Sequence, residues 1–207
     1  MNLANKLTLF RIILAPVFLV IFLVFREYAW TIPVLWIIFI VSEVTDYFDG
    51  FVARKFNQTS DFGKLFDPFA DTLVQITYFL CFIIDRLWGD SIFPVILFLL
   101  IIYREFGILF LRNLMLKKGI TLGASIYGKI KTVAYIVAVG AALLVFSLER
   151  QIHEPHTHTQ AITETMLPYF KTGSLVIFAL SVLFSIISFF DYLSKYKKTE
   201  SVKQETT

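Results

Sequence analysis

Apolar residues in this chain come in long runs separated by short polar or charged breaks. The runs fall at about 8–26, 31–51, 66–86, 91–116, 124–148 and 170–194. A helix needs roughly 20 mostly apolar residues to cross a bilayer, and each run supplies that length. The pattern predicts an all-α, polytopic membrane protein with six transmembrane helices. Lys6 and Arg11 ahead of the first run would also suit a secretory signal. That run is long, however, lacks a small-x-small cleavage site and passes directly into a second span.

Composition agrees with the pattern: 57% of residues are hydrophobic and 23 are Phe. Charge then orients the helices. Six spans put Lys6, Arg11, Arg54, Lys55, Lys64, Arg112, Lys117, Lys118, Lys129, Lys131, Lys195, Lys197, Lys198 and Lys203 on one side. The other side receives Arg26, Arg86, Arg150 and Lys171, and Arg104 falls inside the fourth span. Both termini are therefore expected in the cytoplasm. The net charge of +3 reflects this asymmetry and is no nucleic-acid footprint. Cys81 stands alone in mid-span, as core filler rather than a disulfide or thiolate ligand.

Residues 1–195 form one expected membrane domain, and the polar stretch KYKKTESVKQETT reads as a frayed end, with 196–207 a charged cytoplasmic tail. The segment 149–169 reads as a loop. It carries His153, His156 and His158 beside Pro155; such a cluster invites a metal reading, but a solvated loop fits it better.

Chemistry concentrates in Thr45–Asp71, TDYFDGFVARKFNQTSDFGKLFDPFAD, which holds five of the sixteen acidic residues. Asp46, Asp49, Gly50 and Ala53 fall on one helical stripe, and Gly63, Asp67 and Asp71 on another, because residues three and four apart are neighbours. KFNQTSDF between them reads as a break. Two helices can thus bring two carboxylates each to one place near the membrane surface. Gly50, Ala53 and Gly63 remove bulk there, and Pro68 is expected near the start of its helix, where a missing N–H costs least. A carboxylate at membrane depth costs about 2.5–3.5 kcal/mol, so four would cost on the order of 10 kcal/mol. Arg54 and nearby lysines could pair with some of them, but Arg54 alone cannot neutralise four. Hard divalent ions can, and Mg²⁺ takes carboxylates together with phosphate oxygens.

The full pattern is Asp46-x2-Asp49-Gly50-x2-Ala53-Arg54-x8-Gly63-x3-Asp67-x3-Asp71. It resembles the signature of the CDP-alcohol phosphotransferase family. At roughly 5–8% usage per residue type, chance would produce it about once in 10⁸ such chains. The resemblance spans most of the chain in its six-span layout. NKLTLFRI at 5–12, YREFGILFLR at 103–112 and ASIYGKIKT at 124–132 look like the phosphatidylglycerophosphate synthases within that family.

The resemblance implies transfer of the phosphatidyl group of CDP-diacylglycerol to sn-glycerol 3-phosphate, giving CMP, around a cytoplasm-facing polar cavity in the bacterial inner membrane. It implies two Mg²⁺ (or Mn²⁺) ions held by Asp46, Asp49, Asp67 and Asp71, with Asp71 as general base. It places the CDP moiety against Gly50 and Arg54, with Asn5, Thr8 and Arg11 closing over it and Thr59 and Gly63 near the cytidine. It further implies a homodimer in contact with membrane lipid. A seat for the acceptor's phosphate follows from misplaced cations, since intramembrane charge is a functional signal. Arg104, Arg112, Lys129 and Lys131, with Ser125 one turn before Lys129, could bind a phosphate monoester. An internal ion pair between Arg104 and Glu105 is the competing reading. The same chemistry with inositol phosphate, serine or a phosphatidyl lipid as acceptor stays open, and an ion or metal transporter is the alternative from another class.

Overall fold

The computed structural model describes the backbone of residues 3–55, 61–117, 126–152 and 160–205, and side chains within 5–48, 66–115, 126–150 and 163–197 and at 117. The described residues form six helices: α1 (Leu3–Val24), α2 (Thr31–Lys55), α3 (Asp61–Ile84), α4 (Ile92–Lys117), α5 (Ile126–Ile152) and α6 (Gln160–Glu205). Each contains a stretch long and apolar enough to cross a membrane, so the six-span, all-α expectation holds.

Packing buries one stripe of α1 and leaves apolar side chains on its other faces. On α1, Asn5, Thr8, Arg11, Ala15, Phe18 and Phe22 are buried at the spacing of one helix face. Ile13, Val17, Val20 and Val24 on other faces stay exposed, as lipid-facing positions would. Deep in the bundle Phe22 stacks on Phe146 at 4.5 Å, and Phe18 meets Tyr78 edge-on at 4.7 Å. Cys81 is fully buried among these rings. α3 is the hub, packing against α1, α4 and α5, while α6 packs against α4 and α5.

Three expectations need correction. Pro68 is not at the start of its helix: α3 begins at Asp61, so the proline lies seven residues further in. It therefore withholds an N–H from a helix interior. The last helix is also longer than its apolar run. α6 continues for 46 residues, from Gln160 through Pro168 and past Lys195 to Glu205, in place of a frayed end. The tail has Lys, Glu and Gln, which favour helix, and neither Gly nor Pro to stop it. Likewise most of the expected loop at 149–169 is helix, because α5 reaches Ile152 and α6 starts at Gln160. The three histidines lie outside the described residues.

The end of the bundle remote from the aspartates is closed by ion pairs. Arg26 reaches Asp85 at 3.2 Å, Arg150 reaches Glu27 at 3.0 Å and Lys171 reaches Glu149 at 2.7 Å. Attraction to Arg150 holds the Glu27 carboxyl below the usual carboxylate range. Burial pushes the Asp85 carboxyl above it, against the pull of Arg150 and Arg26. α3 ends here: Leu87 N–H bonds the Phe82 carbonyl at 3.1 Å and Arg86 N–H the Ile83 carbonyl at 3.1 Å. That is the Schellman pattern, with Arg86 at φ 53° in the position that favours glycine.

Candidate active site

The acidic end of the bundle is built by α1, α2 and α3. On α1 the polar residues Asn5, Thr8 and Arg11 are buried, while Lys6 is exposed. Buried donors need partners, and Thr8 and Arg11 find carboxylates. Thr8 Oγ1 donates to Asp67 Oδ1 at 2.8 Å. Arg11 Nη1 donates to Asp71 Oδ1 at 2.8 Å and contacts Asp46 as well. Asp46 comes from α2, and Asp67 and Asp71 from α3, so two helices supply the acids and a third supplies the cation.

Beside this cluster lies a cavity of about 220 Å³. Asp71, Thr72 and Gln75 from α3, Arg104, Glu105 and Arg112 from α4, Lys129, Lys131 and Thr132 from α5 and Tyr192 from α6 are among its lining residues. The volume is below the roughly 300–1,000 Å³ of drug-sized sites and suits a small polar molecule. Four cations against the two carboxylates Asp71 and Glu105 leave a surplus of two positive charges on the wall. Glu105 is buried between two of them, 2.8 Å from Arg104 and 2.7 Å from Lys131. The Arg104–Glu105 ion pair that competed with the phosphate-seat reading is therefore present, yet Arg104 also lines the cavity, as does Lys131.

Asp46, Asp67 and Asp71 thus come together, as do Thr8 and Arg11, while Arg104, Arg112, Lys129 and Lys131 share the cavity wall. The backbones of Asp49, Gly50, Arg54 and Gly63 are helical, but their side chains lie outside the described residues, as do Thr59 and Ser125 entirely. The four-carboxylate metal arrangement is therefore not shown as a whole, since the Asp49 side chain lies outside the described residues. Among the described residues no group of three His, Cys, Asp or Glu stands ready to hold an ion, because Arg11 stands between Asp46 and Asp71 and Asp67 turns to Thr8. The donor set still fits a hard cation: Asp46 and Asp71, from two helices, already converge on one positive charge, with Asp67 one turn before Asp71. Sequence reasoning passed over Gln75, Thr132, Tyr135 and Tyr192. It also passed over Ser185 and Ser188, whose spacing of three on an apolar helix was the available signal.

A family model described as CDP-alcohol phosphatidyltransferase matches residues 1–164. A Bacillus subtilis (strain 168) protein named CDP-diacylglycerol–glycerol-3-phosphate 3-phosphatidyltransferase is 33% identical over 206 residues, covering 94% of each chain. A Treponema pallidum (strain Nichols) protein of the same name is 37% identical over 163 residues, covering 77% of this chain and 68% of its own. One from Salmonella typhimurium, again of that name, is 39% identical over 141 residues, covering 67% of this chain and 74% of its own.

Proposed function

The chain belongs to the CDP-alcohol phosphatidyltransferase family, and from that premise we propose that it transfers the phosphatidyl group of CDP-diacylglycerol to sn-glycerol 3-phosphate. The products are phosphatidylglycerophosphate and CMP. The relatives' names support the reaction. The observation that carries it is the double position of Asp71, in the carboxylate cluster with Arg11 and on the wall of the cation-lined cavity. A base placed between a diphosphate site and a phosphate-monoester site is what the transfer requires.

In this reading the cavity holds the acceptor. Its surplus of two positive charges matches a phosphate monoester, which carries about −1.5 to −2 near neutral pH. Serine has no such group, and the relatives' names favour glycerol 3-phosphate over inositol phosphate. Arg104, Arg112, Lys129 and Lys131 hold the phosphate, and Ser125 is assigned to the same seat by its sequence position one turn before Lys129. Asp71 takes the proton from the acceptor's hydroxyl. That oxygen bonds to the phosphatidyl phosphorus, and the bond from phosphorus to the CMP oxygen breaks. Asn5, Thr8 and Arg11 orient the CDP group together with Gly50, Arg54, Thr59 and Gly63; Arg11 offers a guanidinium that forks onto phosphate.

The family generally depends on a divalent metal. Asp46, Asp49, Asp67 and Asp71 would hold two Mg²⁺ or Mn²⁺ ions, whose charge, when bound, offsets that building on the attacking and leaving oxygens. The Lys and Arg distribution supports a cytoplasmic aspartate end and cytoplasmic termini, in a bacterial cytoplasmic (inner) membrane.

Purified protein given CDP-diacylglycerol and Mg²⁺ should release CMP with glycerol 3-phosphate and not with inositol phosphate or serine. Asp71→Asn should abolish the release. Release with another acceptor alone would overturn the substrate, and an active Asp71→Asn would overturn the assignment of the base.

A further inference from the structure

The family match ends at residue 164, before nearly all of α6, yet α6 holds both arginines that α4 presents to the cavity. Arg104 Nε donates to the Ser185 carbonyl at 2.9 Å, and its Nη2 donates to Ser188 Oγ at 3.0 Å. Two turns further along α4, Arg112 Nη2 donates to the Tyr192 hydroxyl at 3.3 Å, with the guanidinium 5.6 Å above the ring centroid. Residues 185, 188 and 192 lie three and four apart, so they share one helix face. Ser185 is braced in turn, since the Tyr135 hydroxyl donates to its Oγ at 2.6 Å.

Burial gives this face its meaning. Ser188 is 0% exposed, and a hydroxyl sealed within a membrane span is costly unless bonded. Packing alone would be met by alanine. A guanidinium carries five N–H groups in a fixed plane, and Ser185, Ser188 and Glu105 engage three of those on Arg104. The plane is thereby set, and the remaining two have a defined direction.

We propose that Ser188 and Tyr192 are positioning residues of the acceptor site: the α6 face fixes the planes of Arg104 and Arg112 so that both grip the acceptor's phosphate. This rests on the reading of the cavity as the acceptor-phosphate seat. Ser188 lies outside the cavity lining and acts through Arg104, and Tyr192, which also lines the cavity, acts through its hydrogen bond from Arg112.

Steady-state CMP release and thermal unfolding with added glycerol 3-phosphate test it together. Ser188→Ala should raise KM for glycerol 3-phosphate about tenfold, the order of one hydrogen bond to a charged group. KM for CDP-diacylglycerol and kcat should stay within about twofold. Tyr192→Phe, at the less sealed end, should shift the same KM in the same direction, and Ser188→Thr, which keeps the hydroxyl, should recover it. The rise in unfolding temperature given by glycerol 3-phosphate over glycerol should shrink in Ser188→Ala and Tyr192→Phe. Unchanged KM and unchanged stabilisation in both variants would overturn the inference and leave the activity standing. A wild-type protein that releases no CMP with glycerol 3-phosphate, yet is stabilised by it through Ser188 and Tyr192, would overturn the reaction and support the seat. Loss of kcat with both KM values unmoved would overturn the positioning role.

Discussion

Arg11 stands between two carboxylates from different helices, bonded to Asp71 at 2.8 Å and in contact with Asp46. Its side chain is nearly sealed, at 4% exposed, while Asp46 and Asp71 are 35% and 42% exposed. One guanidinium therefore supplies the positive charge that the carboxylate cluster needs when no other cation is present. Removing one partner of a buried pair costs about 3–5 kcal/mol; solvent reaching the two acids reduces that to about 1–3 kcal/mol here. Arg11→Met should lose this stability in thermal unfolding with a chelator present. Saturating Mg²⁺ should restore much of it, since a ligand at 100 times its Kd adds about 2.7 kcal/mol to the folded state. An equal loss with and without Mg²⁺ would show that Arg11 and the metal do not serve the same carboxylates.

Glu105 is the centre of the buried network, in reach of Arg104, Lys131 and, at 3.2 Å, the Tyr135 hydroxyl. Glu105→Gln leaves two cations in the span without a counter-charge and should cost about 3–5 kcal/mol. Adding Lys131→Met removes one of the stranded cations, so the double variant should be more stable than the sum of the single changes predicts. Denaturation midpoints of the four proteins measure this coupling, and strictly additive losses would deny it.

The spans and the acidic stripe were legible because each rests on a short-range rule. A run of twenty apolar residues has few outcomes other than a spanning helix, and Asp46 and Asp67–Asp71 needed only helical spacing. The partners of those acids and cations lie far away in sequence, as Arg11 to Asp71 and Arg104 to Ser188 do. Serine in a spanning helix commonly bonds its own backbone: Ser181 donates to the Phe178 carbonyl at 2.7 Å and Ser147 to the Leu143 carbonyl at 2.7 Å. Ser188 looks the same in sequence and differs only through the helix placed opposite it. α6 was misjudged in length for a related reason: hydropathy ends a span where the apolar run ends, whereas helical hydrogen bonding continues through polar residues.

Arg86 is a second kind of local cost. It occupies the left-handed position of the α3 terminus at φ 53°, where side chains other than glycine cost about 1–2 kcal/mol. Its pair with Asp90 is 73% and 79% exposed and contributes little. Arg86→Gly should raise the unfolding temperature by the equivalent of about 0.5–1 kcal/mol, and Arg86→Ala should not. Equal stabilisation by both would trace the effect to charge instead of backbone.

Asp85 and Glu27 lie at the same end of the bundle and should respond oppositely to pH. Burial raises the Asp85 carboxyl, so the folded protein binds that proton more tightly than the unfolded chain does. Its contribution favours folding below the ordinary carboxylate value of about 3.9 and is lost as pH climbs through the raised value. At neutral pH the ionised group is therefore a net cost despite Arg26 at 3.2 Å. Asp85→Asn should raise the unfolding temperature at pH 7 and lose that advantage near pH 4. Glu27, lowered by Arg150, contributes above its ordinary pKa and fades as pH falls, so Glu27→Gln should not stabilise at pH 7. Unfolding profiles of both variants across pH 4–8 decide it. A destabilised Asp85→Asn at pH 7 would mean that the ion pair with Arg26 outweighs the cost of burying the charge.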